Sequence, residues 1–284
     1  ESTGAPLSPS AIRAGFAEIG HGARKRFGQH FLANRHVSER IIALAGIEPS
    51  DAVVEIGPGL GALTDALAAA SRLLWLIEVD RDLAQRAAQR YASSPSVSVV
   101  CGDALAIDYA TLLGGAAPAL LVANLPYNVG TPIVMQAIEP PSSFRRLVVM
   151  LQLEVAQRLV AAPGSKVYGL PSVMAQSCSR ARIEFRVPPS AFVPRPKVES
   201  AVVRIEPGPP PCRIDDRTTL RNVARAAFGQ RRKQLANSLG TAFPDAAKIL
   251  DSVGIARDRR PETLALSEFA AIANEISARE RRHG

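Results

Sequence analysis

Apolar positions in this chain fall into short unbroken runs, and between the runs they recur at helical spacing. Val37, Ile41, Ile42 and Ala45 are three to four residues apart and stop at Gly46, which predicts a helix over residues 37–45. Residues 52–56 form a β-branched run that enters Gly57-Pro58-Gly59-Leu60-Gly61, and the alanine- and leucine-rich residues 62–70 read as a helix. Further strands are predicted over 73–79, 97–100, 119–123 and 147–151, with helices over 82–91, 131–138 and 154–159. These strand runs lack apolar–polar alternation, so both faces are expected to be buried. That pattern belongs to a mostly parallel sheet with helices on both faces. Two more strands, over 181–187 and 198–205, flank a proline-rich stretch from Pro188 to Pro196.

Beyond this point the chain changes character. Pro207-Gly208-Pro209-Pro210-Pro211 is a linker by composition. After it, residues 218–228, 231–239, 245–253 and 267–277 all read as helices, which predicts a small all-helical second domain. The expected division is an amino-terminal arm or short helix over 1–23, an α/β domain over 24–206, a linker over 207–212 and a helical domain over 213–284.

Charge and composition narrow the classes of function. The 284 residues carry a formal net charge of +8, which suits a polyanionic partner. There is no run of about eighteen uncharged apolar residues, so no membrane span is expected. The first ten residues lack the charged-then-apolar order of a signal peptide. Cytoplasm is the expected location, or an organelle if a transit segment once preceded Glu1. Cys101, Cys178 and Cys212 match no zinc or redox spacing, and His21, His30, His36 and His283 show no ligand pairing, so no metal is expected.

The glycine turn is the first candidate for chemistry. Gly57 and Gly59 follow a strand and open a helix, where glycine lets the backbone turn tightly and approach a ligand closely. Glu78 ends the next strand, about twenty residues on, where a carboxylate can accept from both ribose hydroxyls. Asp103 ends the strand after that and could accept from an adenine amino group. Three such strand ends form one crevice in an open α/β sheet. The loop is Gly-x-Gly-x-Gly, and Glu55 precedes it. An acid there suits a cationic sulfonium ligand and opposes a pyrophosphate.

Asn124-Leu125-Pro126-Tyr127 ends a fourth strand at the same edge. The exocyclic amine of adenine is a poor nucleophile, because its lone pair is delocalised into the ring. Two acceptors at its hydrogens favour a pyramidal nitrogen with the lone pair free for attack. The Asn124 side-chain oxygen can be one, and a main-chain carbonyl of Leu125 or Pro126 the other. Pro126 stiffens that backbone, and Tyr127 offers a ring face for stacking.

The segment from Glu55 to Gly61 resembles the first motif of class I S-adenosylmethionine methyltransferases, and residues 26–205 resemble the ribosomal RNA adenine dimethyltransferase family. The resemblance implies S-adenosyl-L-methionine as methyl donor and the roles just described for Asn124 to Tyr127. It implies Phe192, in Phe192-Val193-Pro194-Arg195-Pro196, as a second stacking aromatic, so that a flipped base would lie between Tyr127 and Phe192. Arg26-Phe27-Gly28-Gln29-His30-Phe31-Leu32 resembles the family's cofactor-lid motif, which implies donor contacts from Gln29, His30 and Leu32. The family usually has Asn where this chain has His30. Arg231, Arg232 and Lys233 resemble a carboxyl-terminal signature that faces rRNA, with Arg221, Arg225, Arg257, Arg259 and Arg260 adding to the charge.

The function implied is dimethylation of two adjacent adenosines near the 3′ end of small-subunit rRNA, within an immature subunit and by a monomer. Two alternatives are a large-subunit rRNA methyltransferase of the macrolide-resistance type and a non-catalytic binding or assembly factor on the same fold. Arg231-Arg232-Lys233 disfavours the former, and intact Asn124, Tyr127 and Glu78 disfavour the latter.

Overall fold

The computed structural model describes residues 8–20, 22–24, 28–230 and 233–283. Their packing forms two units, one within Glu1–Ala156 and Ala181–Pro207 and the other within Gln157–Arg180 and Gly208–Gly284.

The first unit contains helices α1 (Pro9–Ile19), α2 (Arg35–Ala45), α3 (Thr64–Ala70), α4 (Arg81–Arg90), α5 (Tyr109–Leu113) and α6 (Gly130–Ile138). Its strands are β1 (Phe31–Leu32), β2 (Ala52–Ile56), β3 (Leu73–Glu78), β4 (Val97–Cys101), β5 (Ala119–Asn124), β6 (Phe144–Gln152), β7 (Ser179–Val187), β8 (Phe192–Val193) and β9 (Ser200–Pro207). The chain passes between units within α7 (Leu153–Leu159), within β7 and after β9.

Seven strands form one sheet in the order β4-β3-β2-β5-β6-β9-β7. The pairs β4–β3, β3–β2, β2–β5 and β5–β6 are parallel, and β6–β9 is antiparallel. The chain therefore runs outward from β2 through β3 to β4, then returns to lay β5 on the other side of β2. Strand order reverses there, and a crevice opens at the carboxyl ends of β2 and β5. Val53, Leu74, Leu76, Leu120, Val122, Val148, Met150 and Val202 form the core and are essentially inaccessible. These line one face of the sheet; Val54, Leu121, Ala123, Leu147 and Val149 on the other face are buried as well, so the central strands show the two-sided burial that their unbroken apolar runs predict, whereas the edge strand β4 is only partly buried. Helix α2 also follows its sequence signals: the Asn34 side chain accepts from the Val37 N–H at 3.1 Å, and Gly46 stops the helix at φ 55°.

Several boundaries differ from expectation. Residues 62 and 63 belong to a turn, because Gly61 at φ 96° leads into α3 only at Thr64. The two-residue ladder β1–β8 pairs Phe31 with Val193 and Leu32 with Phe192, and two residues are too few to show a period. The expected single boundary at 207 also differs, because residues 157–180 pack with the carboxyl-terminal helices. Tyr168, fully buried, meets Phe228 edge-on, and Arg217 donates to Ser177 Oγ at 2.7 Å.

The second unit contains α8 (Leu170–Gln176), α9 (Arg217–Gly229), α10 (Leu235–Leu239), α11 (Ala246–Ser252) and α12 (Leu266–His283), so it is helical as expected. The helix expected over 231–239 is shorter. Gln230 leaves helical geometry at φ −132°, the Lys233 N–H donates to its carbonyl, and α10 starts only at Leu235.

Candidate active site

Glu55 sits on β2 with both strand faces covered, and it is 2% exposed. Burial pushes its carboxyl up to about 8, and the charges of Glu78 and Asp65 push the same way against the Thr64 hydroxyl. Its Oε2 has no hydrogen-bond partner. A buried acceptor left this way is costly unless a donor or cation arrives. The strand then breaks into Gly57 and Gly59, at φ 66° and 56°. A Cβ at Gly59 would lie 2.9 Å from the Phe31 ring, so only glycine fits there.

Glu78, at the end of β3, is also buried, and burial raises its pKa. Its Oε2 accepts from the Gly59 N–H at 3.2 Å and its Oε1 from the Asp80 N–H at 3.0 Å. Each oxygen therefore keeps a lone-pair direction for a ligand hydroxyl. Asp103 follows β4 and is exposed. Its Oδ1 accepts from the Leu105 N–H at 2.9 Å, which fixes the side chain.

Two adjoining clefts collect these residues. The first, a cleft open to solvent, is lined by Gln29, His30, Leu32, Glu55, Gly57, Gly59, Glu78 and Asn124 to Tyr127, among others. The second lies beside it and is lined by Asp103, with Gly57, Glu78, Val79 and Pro126 shared between the two. Every cofactor-contact residue expected from sequence thus lines one of these two adjoining clefts.

The amino-terminal segment is fastened over this space. Arg24 donates to Asp80 at 2.8 Å and to Asp82 at 2.6 Å. Both ends of the Gln29 amide are used: its Oε1 accepts from the Arg24 N–H, and its Nε2 donates to Asp80 at 3.1 Å. Phe16 of α1 meets Phe31 edge-on, and Ile12 packs with Leu60 and Leu83. Arg26, from the same motif, lies outside the described residues.

The Asn124 to Tyr127 turn is held at each position. Asn124 Nδ2 donates to the main-chain carbonyl of His30 at 3.0 Å, which leaves the side-chain Oδ1 as an acceptor. The Leu125 N–H bonds to the Met150 carbonyl and its side chain is buried. The Pro126 carbonyl accepts from the Val129 N–H at 3.2 Å. Of the two candidate main-chain acceptors, Pro126 is thus already engaged in the turn. Tyr127 hydroxyl and Ser200 Oγ are 2.5 Å apart, and burial raises the phenol's pKa.

Phe192 requires a correction. Its ring is 1% exposed and packs with Leu32, Val187 and Ala191, because the β1–β8 ladder turns it into the core. No face is open to a base in this conformation. Sequence reasoning also missed Val79 and Leu105, apolar side chains 42% and 36% exposed, each next to or near a strand-end acid. Val79 lines both clefts, and the available signal was an apolar residue directly after Glu78 at a strand end.

Of the basic residues expected to face RNA, Arg231 and Arg232 lie outside the described residues, and Lys233 is exposed. Arg257 is paired with Asp251 and Arg259 with Glu268, so these two are tied within their own unit.

A mostly parallel sheet with this strand order, a glycine turn after β2, acids after β3 and β4 and an amide after β5 defines a Rossmann-like class I methyltransferase. Two solved structures share the fold: a dimethyladenosine transferase from Plasmodium falciparum (TM-score 0.73, 23% identity, 88% of this chain and 98% of that one) and the 23S rRNA methyltransferase ErmE (0.66, 23%, 87% and 99%). The family model for ribosomal RNA adenine dimethylase matches residues 20–278. A ribosomal RNA small subunit methyltransferase A from Syntrophotalea carbinolica is 45% identical over 91% of this chain and 98% of its own length. One from Aeromonas hydrophila is 41% identical over 93% and 97%. The chain belongs to the ribosomal RNA adenine dimethylase family.

The donor used in this family is S-adenosylmethionine, and the residues present fit it. The orphaned buried oxygen of Glu55, the free lone pairs of Glu78 and the Cβ-excluding turn at Gly59 all suit a cationic nucleoside ligand.

Proposed function

We propose that this protein dimethylates the exocyclic amines of two adjacent adenosines near the 3′ end of small-subunit rRNA. The observation that carries the reading is the orientation of the Asn124 amide, whose Nδ2 is engaged by His30 so that Oδ1 is left to accept. Relatives sharing 41–45% identity along nearly their whole length bear the name ribosomal RNA small subunit methyltransferase A, which supports the small-subunit address.

The donor supplies a methyl group already activated as a sulfonium, so catalysis reduces to alignment and fixed dipoles at the accepting nitrogen. Glu78 would hold the ribose hydroxyls and Asp103 the adenine amine, with Val79 and Leu105 as its apolar bed. Glu55 would balance the positive charge. Gln29 keeps the amino-terminal segment in place through Asp80, while Leu32 and the backbone at Gly57 and Gly59 shape the wall.

At the other end of the cleft, Asn124 Oδ1 and the Leu125 carbonyl would accept from the adenine amine and leave its lone pair pointing at the methyl carbon. A carbon–nitrogen bond forms as the carbon–sulfur bond breaks. The product ammonium is acidic and releases its proton afterwards, so no strong base is required. Tyr127, fixed by Ser200, is assigned the stacking role, worth about 1–3 kcal/mol. Phe192 would support the cleft wall through its pairing with Leu32.

Arg231, Arg232 and Lys233 would contact phosphates, giving affinity without sequence choice. The reading places the monomeric protein on immature small subunits in the cytoplasm. Among the described residues no helix is long and apolar enough to cross a membrane. The test is to incubate the protein with radiolabelled S-adenosylmethionine and immature small subunits from an unmethylated strain, then map the label. Dimethylated adenosines near the 3′ end are expected. Absence of label there, with donor binding demonstrated, would overturn the proposal.

A further inference from the structure

His30 lines the cleft together with Asn124 and Tyr127. Its main-chain carbonyl accepts from Asn124 Nδ2 at 3.0 Å. Its ring Nδ1 lies 2.8 Å from the carbonyl oxygen of Pro194, in the loop that follows β8. Its ring centroid lies 5.0 Å from that of Tyr127, with 34° between the planes. One residue therefore touches Asn124, Tyr127 and the loop that follows β8. These three parts come from β5, the turn after it and the segment after β8.

The carbonyl of Pro194 can only accept, so His30 Nδ1 must carry the hydrogen. This fixes the neutral tautomer and the ring plane together. The contact with Tyr127 is within the range of favourable aromatic pairs, and the Tyr127 hydroxyl is held at its far end by Ser200. The phenol is thus located at one end by Ser200 and along its body by His30. Nothing in these contacts points at the nucleoside end of the cleft, where Glu78 and Asp103 lie.

We propose that the His30 side chain is a positioning residue for the target base, setting the spacing between Tyr127 and the Pro194 loop. It thereby fixes how an adenine amine meets Asn124. This rests on the adenosine-methylation reading above and differs from a donor-contact role for the same side chain. Because Asn124 bonds to the main chain of His30, substitution of the side chain leaves that bond available. The effect of a substitution is then confined to Tyr127 and the loop. A misplacement of about 1 Å in such a site costs up to about 100-fold in rate. The second methylation must accommodate a bulkier amine, so a pocket with altered spacing changes the balance of products as well.

The experiment compares wild type with H30A, H30F (ring kept, donor lost) and H30Q (donor kept, ring lost). Donor affinity is read by titration calorimetry. Turnover at saturating donor, and the ratio of N6-monomethyl to N6-dimethyl adenosine, are read on immature small subunits. The expected result is unchanged donor affinity in all three, a fall in turnover of about tenfold or more for H30A, and a shift of its product toward the monomethyl form. H30F and H30Q should each recover part of the loss. If H30A fails to fold, H30F and H30Q carry the test by the same readouts. The proposal is overturned if the variants weaken donor binding while turnover and product ratio at saturating donor match wild type. It is also overturned if none of the three quantities moves. A wild-type protein that leaves small-subunit adenosines unmethylated refutes the functional reading itself, and this inference with it.

Discussion

Asn124 and His30 are 94 residues apart in sequence, and the side-chain amide of the first donates to the main-chain carbonyl of the second at 3.0 Å. This bond decides which end of the amide faces the cleft. Replacing Asn124 by Ala removes the acceptor and leaves Glu55, Glu78 and Asp103, the residues proposed to hold the donor, in place. Donor affinity measured by calorimetry should be largely retained, while transfer to rRNA falls by about 100-fold or more, the scale set by loss of one preorganised polar group. Asn124→Asp keeps an acceptor but turns a carboxylate toward the His30 carbonyl, so it should also be impaired. Equal transfer by the Ala variant would remove the account of nitrogen activation.

Donor binding is expected to depend on pH through Glu55. Its folded carboxyl is pushed up to about 8, above its ordinary value of 4.5, mainly by burial. A raised carboxyl holds its proton in the folded state and loses it on unfolding. Its contribution to stability is therefore present below about 4.5 and is lost as pH rises through about 8. A cationic donor reverses the preference, since it favours the ionised form. Binding should then release a proton below pH 8, and donor affinity should climb with pH until it levels off above that value. Calorimetry in two buffers of different ionisation enthalpy measures the release. Glu55→Gln should abolish this part of it and flatten the loss of melting temperature between pH 5 and 8. A release that is unchanged in Glu55→Gln would assign the proton to another group.

Much of the catalytic half was legible because its signals are local. The runs over 52–56 and 119–123 are buried on both faces in the sheet, and such strands cannot alternate; the run over 97–100 forms the edge strand β4 and is only partly buried. Gly57, Glu78, Asp103 and Asn124 lie at strand ends, where topology alone makes them neighbours. What was not legible depends on contacts distant in sequence. The family resemblance implies Phe192 as a stacking aromatic, and only its pairing with Leu32, distant in sequence, shows that it turns into the core. The basic run from Arg231 reads as a helix, yet Gln230 ends α9 and the next helix starts at Leu235. The excursion of residues 157–180 into the second unit depends on packing such as Tyr168 against Phe228, which no periodicity shows.

Gly59 tests whether the turn is shaped for a ligand. An alanine there would adopt φ 56° and place its Cβ 2.9 Å from Phe31 Cε1. The left-handed backbone alone costs about 1–2 kcal/mol, or a melting temperature a few degrees lower. Phe31 must also shift, and Phe31 lines the donor cleft and meets Phe16. Gly59→Ala should fold and lose donor affinity by about tenfold or more, the equivalent of some 1.4 kcal/mol. Gly254→Ala, at φ 69° where a Cβ meets nothing within 4 Å and away from both clefts, is the matched control. Equal affinities for the two variants would mean that the donor avoids the turn.

Phe192 separates packing from stacking. A ring 1% exposed among Leu32, Val187 and Ala191 leaves a cavity when removed. Phe192→Ala should therefore destabilise the protein by about 3–5 kcal/mol in denaturant titration. Phe192→Leu fills much of that space and should recover most of the stability. If the ring only packs, transfer by the Leu variant follows its folded fraction. A stable Leu variant with transfer abolished would show that the ring leaves the core to meet the base.

The last test concerns the RNA address. Arg257 and Arg259 are held by Asp251 and Glu268, so they have counter-charges already and release few counterions on binding RNA. Lys233 is exposed and sits with Arg231 and Arg232 in the basic run before α10. Each phosphate contact contributes about 0.7–0.9 to the slope of log affinity against log salt. Replacing Arg231, Arg232 and Lys233 together by Ala should weaken rRNA binding and lower the slope by about two to three. Arg257→Ala, which unmasks Asp251 and removes one paired cation, should leave the slope almost unchanged. The comparison is made by filter binding across a salt series, with donor affinity as the check that the catalytic unit is intact. If the triple variant keeps the wild-type slope, the three side chains are a solvated surface, and the RNA contacts of this protein lie elsewhere on it.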